Sequence, residues 1–412
     1  MEREALLSLA QSVQPYVLET RRHLHAHPEL SYQETETAAF IARELERMGY
    51  PVRTGVGGLH GVVAEAVGKR SGPTIALRAD IDALPVSEQG NLPFRSQTPG
   101  VMHACGHDCH TAMLLGTALA LKQLEPELAG KVLFIFQPAE EVGPGGAQAM
   151  VQAGILEEVD AVFALHVSPA LETGRLGFVA GVCSANSDGM RITITGKGGH
   201  AAHPENAVDA VVVAGHVIVA LQQVVSRGVA PTQEAVVTIG AIHGGTKGNI
   251  IAEQVELAGT IRTLDRQVRS LVHQKVHTIV SGICAAYSAT SSVEIRPGYP
   301  SCVNDSAMVA LARAAAASMV GEPNVLHSEV SLEGEDFAYM LQAVPGCTGL
   351  LGIADAAWPQ EQRAPLHNSR LMVDEAALLH GVGFYLSLVD LAGREGSPLA
   401  QDSSGAGRTR TE

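Results

Sequence analysis

Two strand-like runs of this 412-residue chain end in side chains suited to a metal ion, and that placement narrows the folds open to it. Lys131-Val132-Leu133-Phe134-Ile135-Phe136 has the length and apolarity of a buried strand and leads into Gln137-Pro138-Ala139-Glu140-Glu141. Asp160-Ala161-Val162-Phe163-Ala164-Leu165 ends on His166. A further histidine, His367, sits in Ala364-Pro365-Leu366-His367-Asn368-Ser369. Earlier, Met102-His103-Ala104-Cys105-Gly106-His107-Asp108 sets a thiol and an imidazole two residues apart before an apolar, helix-like run. In open α/β sheets ligands bind outside the carboxyl ends of the strands. The candidates are therefore expected together at the trailing edge of a mostly parallel sheet.

Thiolate, imidazole and carboxylate are all good ligands for divalent first-row metals, and zinc, manganese, cobalt and nickel are each compatible with this set. On extended backbone Cys105 and His107 point the same way, while the adjacent Glu140 and Glu141 diverge. One carboxylate can then hold metal while the other faces a water. That is the division of labour of metal-assisted hydrolysis, in which an ion acidifies water and a carboxylate moves its proton. Cys105, His107, Glu141, His166 and His367 exceed what one tetrahedral ion needs and suit two ions. Each residue also has an ordinary structural reading: a small buried thiol, hydrogen-bonded histidines, a solvated acidic pair. A nucleophile built on Cys105 and His107 would be a different class of hydrolase and would leave Glu140 and Glu141 without a role.

Residues 3–48 read as helices around a His-rich link. Strand-like runs at 60–67, 74–79, 131–136 and 160–166 then alternate with helical ones at 110–124 and 146–153, an α/β pattern. The character shifts near Ala180-Gly181-Val182-Cys183-Ser184. A strand at 190–196, a helix at 206–226, strands at 235–242 and 254–262, a helix at 265–289 and a strand at 293–299 follow, in the ferredoxin-like order βαββαβ. The expected fold class is thus α/β: a mixed, mostly parallel sheet in a catalytic domain (1–184 and 300–392) interrupted by a ferredoxin-like domain (185–299). The polar, Gly/Ser-rich segment 393–412 reads as a disordered tail.

A formal charge of −15 argues against nucleic acid as a partner. The six cysteines are scattered without a disulfide-framework spacing. No run of apolar residues is long enough for a transmembrane helix and the N-terminus lacks a signal-peptide core, so the cytoplasm is the default expectation and no membrane partner is expected.

The ordered motifs across residues 14–392 resemble those of the M20 metallopeptidases, in the branch of hippurate hydrolases, N-acyl-amino-acid amidohydrolases and auxin-conjugate hydrolases. They run from Arg21-Arg22-His23-Leu24-His25-Ala26-His27-Pro28-Glu29-Leu30-Ser31 through Arg78-Ala79-Asp80-Ile81-Asp82-Ala83-Leu84-Pro85, Cys105-Gly106-His107-Asp108 and Pro138-Ala139-Glu140-Glu141. Gly198-Gly199-His200-Ala201-Ala202, Asn249-Ile250-Ile251-Ala252, Gly259-Thr260-Ile261-Arg262, Gly334-Glu335-Asp336-Phe337 and Leu366-His367 complete them. The resemblance implies that Cys105, His107, Glu141, His166 and His367 hold two divalent ions. It implies that Glu140 is the general base and that Asp82 orients a ligand. It implies further that His200 reaches the active site of a partner subunit and that Asn249, Arg262 and His200 grip the substrate. The inserted domain is then a lid through which homodimers or homotetramers form. The substrate would be a small N-acyl amino acid, hippurate-like or N-acetylated, with a dipeptidase or carboxypeptidase as the alternative.

Some positions depart from the family pattern or carry plainer readings. Cys109 and Glu205 stand where relatives carry other residues, and Asp80 stands where peptidase branches place a ligand histidine, so Asp80 is left out of the metal set. Asp108 reads as a helix N-cap, His110 as a neighbour of the site, and His23, His25 and His27 as structural.

Overall fold

The computed structural model describes residues 1–399, which form two compact units. The first comprises Met1–Gly181, Val303–Glu329 and the chain from Tyr339 onward; the second comprises Val182–Cys302 with Val330–Ala338.

An eight-stranded mixed sheet organises the first unit. Its order is Val52–Val56, Gly61–Val67, Ala129–Gln137, Arg70–Asp80, Ala161–Glu172, Gly346–Ala354, Leu176–Phe178 and Val325–His327. The four central strands, Ala129–Gln137 to Gly346–Ala354, run parallel to one another. Their runs Val132–Phe136 and Ala161–Leu165 are continuously apolar because both faces are covered. Helix Arg3–Ala26 buries Leu6, Ala10, Val13, Val17 and Leu24 at helical spacing. It packs with helices His107–Leu124 and Ala377–Ala392, both buried on nearly every face. The first two approach so closely that a Cβ on Gly116 would lie 2.3 Å from Val17 Cγ2.

The second unit is a four-stranded antiparallel sheet, ordered Ala235–Gly244, Gln254–Thr263, Asn186–Thr195, Thr290–Pro297. Ile192, Ile194, Leu257 and Ile261 share one core with Val213, Val217 and Leu221 of helix Ala210–Ser226 and Val268, Val272 and Val276 of helix Arg266–Ala286. The helix expected from residue 206 begins at Ala210, because Pro204–Asn206 closes a 3₁₀ turn and the Asp209 carboxylate then accepts from the N–H groups of Val211 and Val212. Asp265 caps the second helix in the same way. That helix stops at Ala286 rather than 289, with Ser288 in the left-handed region at φ 59°.

Of the expected tail, residues 393–399 form turns, with Leu399 in the core of the first unit, and residues 400–412 lie outside the described residues. Among the described residues no helix is long and apolar enough to cross a membrane.

Candidate metal centre

Cys105 and His107 do not share an extended strand. Gly106 between them is left-handed, at φ 83°, and His107 opens the helix His107–Leu124. A side chain at position 106 is barred twice, by that φ and by Val167 Cγ2, which would lie 2.4 Å from a Cβ. The turn still brings the two ligand atoms together: the Cys105 sulfur and the His107 and His166 ring nitrogens lie within 4.8 Å of one another. Gly106, not Asp108, stands at the N-cap. Asp108 lies inside the first turn, where its buried carboxylate accepts from Arg21 Nε and His25 Nδ1, both at 2.9 Å. Burial opposes that charge, but Arg21 and His25 pull the carboxyl well below its ordinary range.

Hydrogen bonds fix which histidine nitrogens remain for an ion. His107 Nδ1 donates to the Asp82 backbone oxygen at 2.9 Å, with Asp82 Oδ1 at 3.2 Å, so Nε2 is the nitrogen left to face an ion. His166, inside the strand Ala161–Glu172 rather than at its end, donates from Nδ1 to the Val167 oxygen at 2.8 Å and turns Nε2 to the Cys105 sulfur at 3.5 Å. The peptide before it is held from elsewhere in the unit: Leu165 N–H donates to the Tyr385 hydroxyl at 2.9 Å.

The paired glutamates follow Ala139, which at φ 54° is left-handed and separates them from the end of strand Ala129–Gln137. Glu141 Oε1 lies 3.3 Å from His367 Nε2 and 3.9 Å from His107 Nε2, and the Glu141 N–H donates to Asp82 Oδ2 at 3.0 Å. Glu140 forms a compact group with His107 and Glu141. His367 is reached by a turn, at φ 63°, whose N–H donates to the Ala104 oxygen at 2.7 Å. The structure thus brings all five expected ligands and Glu140 into overlapping groups: Cys105 with His107 and His166, Cys105 with Glu141 and His367, His107 with Glu140 and Glu141.

These residues fit a cation. His107 Nε2 is sealed from solvent without a hydrogen-bond partner, although it faces carboxylates. Burial disfavours the charged ring, yet Asp80, Asp82 and Glu141 push His107 up to about 10. Burial and the charges of Glu141, Glu140 and Asp80 push the Cys105 thiol up as well. So many negative groups in a buried space need a positive charge among them, which a divalent ion supplies.

Sequence reasoning left out Asp80, and the structure shows what occupies it. Its carboxylate accepts from Arg78 Nη1 at 2.7 Å and from His110 Nδ1 at 2.5 Å, and it lies 3.7 Å from His107 Nε2. His110 Nε2 accepts from the Val167 N–H at 2.9 Å, which fixes its tautomer, and burial lowers the ring to about 4. Ser31 was also missed; its hydroxyl donates to Asp82 Oδ2 at 2.7 Å.

His200, Asn249 and Arg262 belong to the second unit. His200 and Ile250 pair across a short two-stranded ribbon, so Asn249 and His200 are near neighbours and both are exposed. His200 Nδ1 accepts from the Ala202 N–H at 3.0 Å. Half-buried Arg262 lies in the strand Gln254–Thr263, opposite Ser187 and Val236.

Comparisons with known proteins agree with the site's chemistry. The sequence profile described as Peptidase family M20/M25/M40 matches residues 76–391. The chain is 42% identical to an N-acetyl-L-cysteine deacetylase of Bacillus subtilis over 87% of its own length and 84% of that protein's. It is 42% identical to an N-acyl-L-amino acid amidohydrolase of Geobacillus stearothermophilus, covering 74% of this chain and 82% of the relative. The solved structure of the Bacillus subtilis YXEP protein, described as a dinuclear metal binding peptidase from the M20 family, superposes with a TM-score of 0.80 at 37% identity, over 92% of this chain and 98% of that one.

Proposed function

The chain belongs to peptidase family M20/M25/M40 and is a hydrolase of amide bonds, and from that premise we propose that it cleaves N-acyl amino acids to a carboxylate and a free amino acid. The observation that carries the reading is the buried group of Cys105, His107, Glu141, His166 and His367 beside a second, adjacent carboxylate, Glu140. The names of the two relatives supply the substrate class.

In this proposal those five side chains hold two divalent ions per subunit, of manganese, zinc, cobalt or nickel. When bound, the ions supply Lewis acidity and make water a stronger acid. Glu140 accepts a proton from the attacking water as the C–O bond forms at the amide carbon. His200, from a second copy of the chain, donates a hydrogen bond to the carbonyl oxygen as it gains negative charge. The C–N bond then breaks, and Glu140 returns the proton to the departing nitrogen. Arg262 and Asn249 orient the substrate, the guanidinium fork suiting a terminal carboxylate. Asp82 keeps the His107 lone pair on Nε2 and so orients a ligand.

The second unit is read as a ferredoxin-like lid and dimerisation domain spanning about residues 185–299, between catalytic segments 1–184 and 300–392. Its strand–helix succession and the sheet order given above support this. A site that needs Cys105 as a free thiolate suits a reducing compartment such as the cytoplasm.

The test is amino-acid release from N-acetyl-, N-benzoyl- and indole-acetyl-amino acids and from dipeptides. The protein is loaded in turn with each of the four metals, beside a chelated control. Metal-dependent release from N-acyl substrates is the expected result. Release from dipeptides alone would move the substrate to the peptidase class, and turnover that survives complete metal removal would overturn the metal reading.

A further inference from the structure

The turn before helix Thr35–Arg47 carries an N-cap residue that does not cap. Glu34 stands at the N-cap, yet its carboxylate accepts nothing from the helix's first turn. Glu29 does that work instead. Its Oε1 accepts from Glu36 N–H at 3.2 Å, and its Oε2 accepts from the N–H and the hydroxyl of Thr37, both at 2.8 Å. Glu34 is thereby free to reach across the unit. Fully buried, it accepts the Ala139 N–H on Oε1 at 2.7 Å, from a residue 105 positions away.

Ala139 is the residue that needs holding. It is left-handed without being glycine, a conformation that persists only where its surroundings enforce it, and it immediately precedes Glu140. The far end of the same loop is held from the same turn. The Tyr32 hydroxyl donates to the Val142 oxygen at 2.9 Å and accepts the Gly145 N–H at 3.1 Å. Ser31, just before Tyr32, reaches Asp82, and the Ala83 N–H donates to the Glu29 backbone oxygen at 2.8 Å. One short strap, Glu29–Glu34, therefore grips both the Asp82 segment and the loop that bears Glu140 and Glu141.

We infer that Glu34, assisted by Tyr32, is a positioning residue for Glu140. It fixes the Ala139 peptide and so sets where the Glu140 carboxylate stands. This rests on the reading of Glu140 as the general base. Glu34 acts through the loop and exchanges no proton with the substrate. A general base works only within hydrogen-bond reach of its proton, and a displacement of about 1 Å costs on the order of a hundredfold in rate. Burial, partly offset by nearby backbone N–H groups, raises Glu34 to about 7, so glutamine at this position resembles its protonated form and keeps the oxygen that Ala139 needs.

The experiment compares Glu34→Ala, Glu34→Gln, Glu34→Asp and Tyr32→Phe in the metal-loaded protein, with N-acetyl-L-cysteine as the probe. It measures kcat, KM, bound metal per subunit and thermal midpoint. Glu34→Ala and Glu34→Asp should lower kcat about tenfold to a hundredfold. KM should stay within about threefold and metal content should be unchanged, while Glu34→Gln restores most of kcat. In a Glu140→Gln background, Glu34→Ala should add little further loss, because both changes act through one group. If Glu34→Ala does not fold, Glu34→Asp and Tyr32→Phe carry the test. Wild-type kcat in Glu34→Asp and Tyr32→Phe while Glu140→Gln is inactive would overturn the inference and leave the general base standing, as would a loss of kcat that tracks lost metal. An active Glu140→Gln would instead remove the general-base reading on which it rests.

Discussion

His107 donates from Nδ1 to the backbone oxygen of Asp82 at 2.9 Å, with the Asp82 carboxylate at 3.2 Å, and that contact leaves Nε2 facing the candidate metal centre. Asp82 also accepts the Glu141 N–H through its second oxygen, so one carboxylate orients residues from two segments. Asp82→Ala should weaken metal binding about tenfold to a hundredfold. Competition with a chromophoric chelator measures this; affinity equal to wild type would show that the Asp82 carboxylate does not orient the ligands.

Gly106 separates two candidate ligands, Cys105 and His107, in a conformation that other residues resist, and its missing side chain faces Val167, next to His166. Gly106→Ala should destabilise the fold by about 1–3 kcal/mol and lower the metal bound per subunit. Denaturant unfolding and elemental analysis test the two effects separately. Retention of both would mean the turn relaxes without disturbing the ligands.

Acid stability should depend on Asp188 in the second unit. Burial raises this carboxyl, but Arg269, and His273 at 2.6 Å, together hold it below its ordinary value near 3.8. A depressed native pKa contributes stability above the unfolded value, and that contribution is lost as pH falls through the native one. The stability gap between wild type and Asp188→Asn should therefore be full at neutral pH and shrink below about pH 4. Denaturant melts across pH 3–7 measure it, and a gap that does not change with pH would assign the effect to packing.

If His200 acts across a subunit interface, a His200→Ala chain and a Glu140→Gln chain should complement each other. Random pairing makes half the molecules mixed dimers with one intact site in two, so activity should return to about a quarter of wild type. No recovery, with subunit exchange confirmed by mass spectrometry, would place the donor within its own chain or remove His200 from the mechanism.

The sheet strands, and the gathering of Cys105, His107, Glu141, His166 and His367 at one place, were legible because their signals are local: apolar runs of strand length, with metal-binding side chain types near their ends. The alternation also located both helices of the second unit, missing by a few residues where Pro204 and Asp209 rather than hydrophobic periodicity set the start. The backbone around the site was not legible. Cys105 and His107 were expected on extended chain, and they converge through a left-handed glycine. Asp108 has a cap residue's chemistry, yet it pairs with Arg21 and His25, which lie more than eighty positions away. Asp80 and His110 form a pair whose partners come from separate strands and a helix. Glu34 is the same case inverted: it stands where a cap stands and serves Ala139 instead. Long-range hydrogen bonds of this kind leave no periodic trace in a sequence.

If Glu140 moves the proton while its neighbours hold the ions, Glu140→Gln separates those two roles. Metal per subunit by elemental analysis and amino-acid release from N-acetyl-L-cysteine should be measured on the same preparation. Wild-type metal content with turnover reduced at least about a thousandfold is the expected result. Turnover near wild type with metal bound would contradict it.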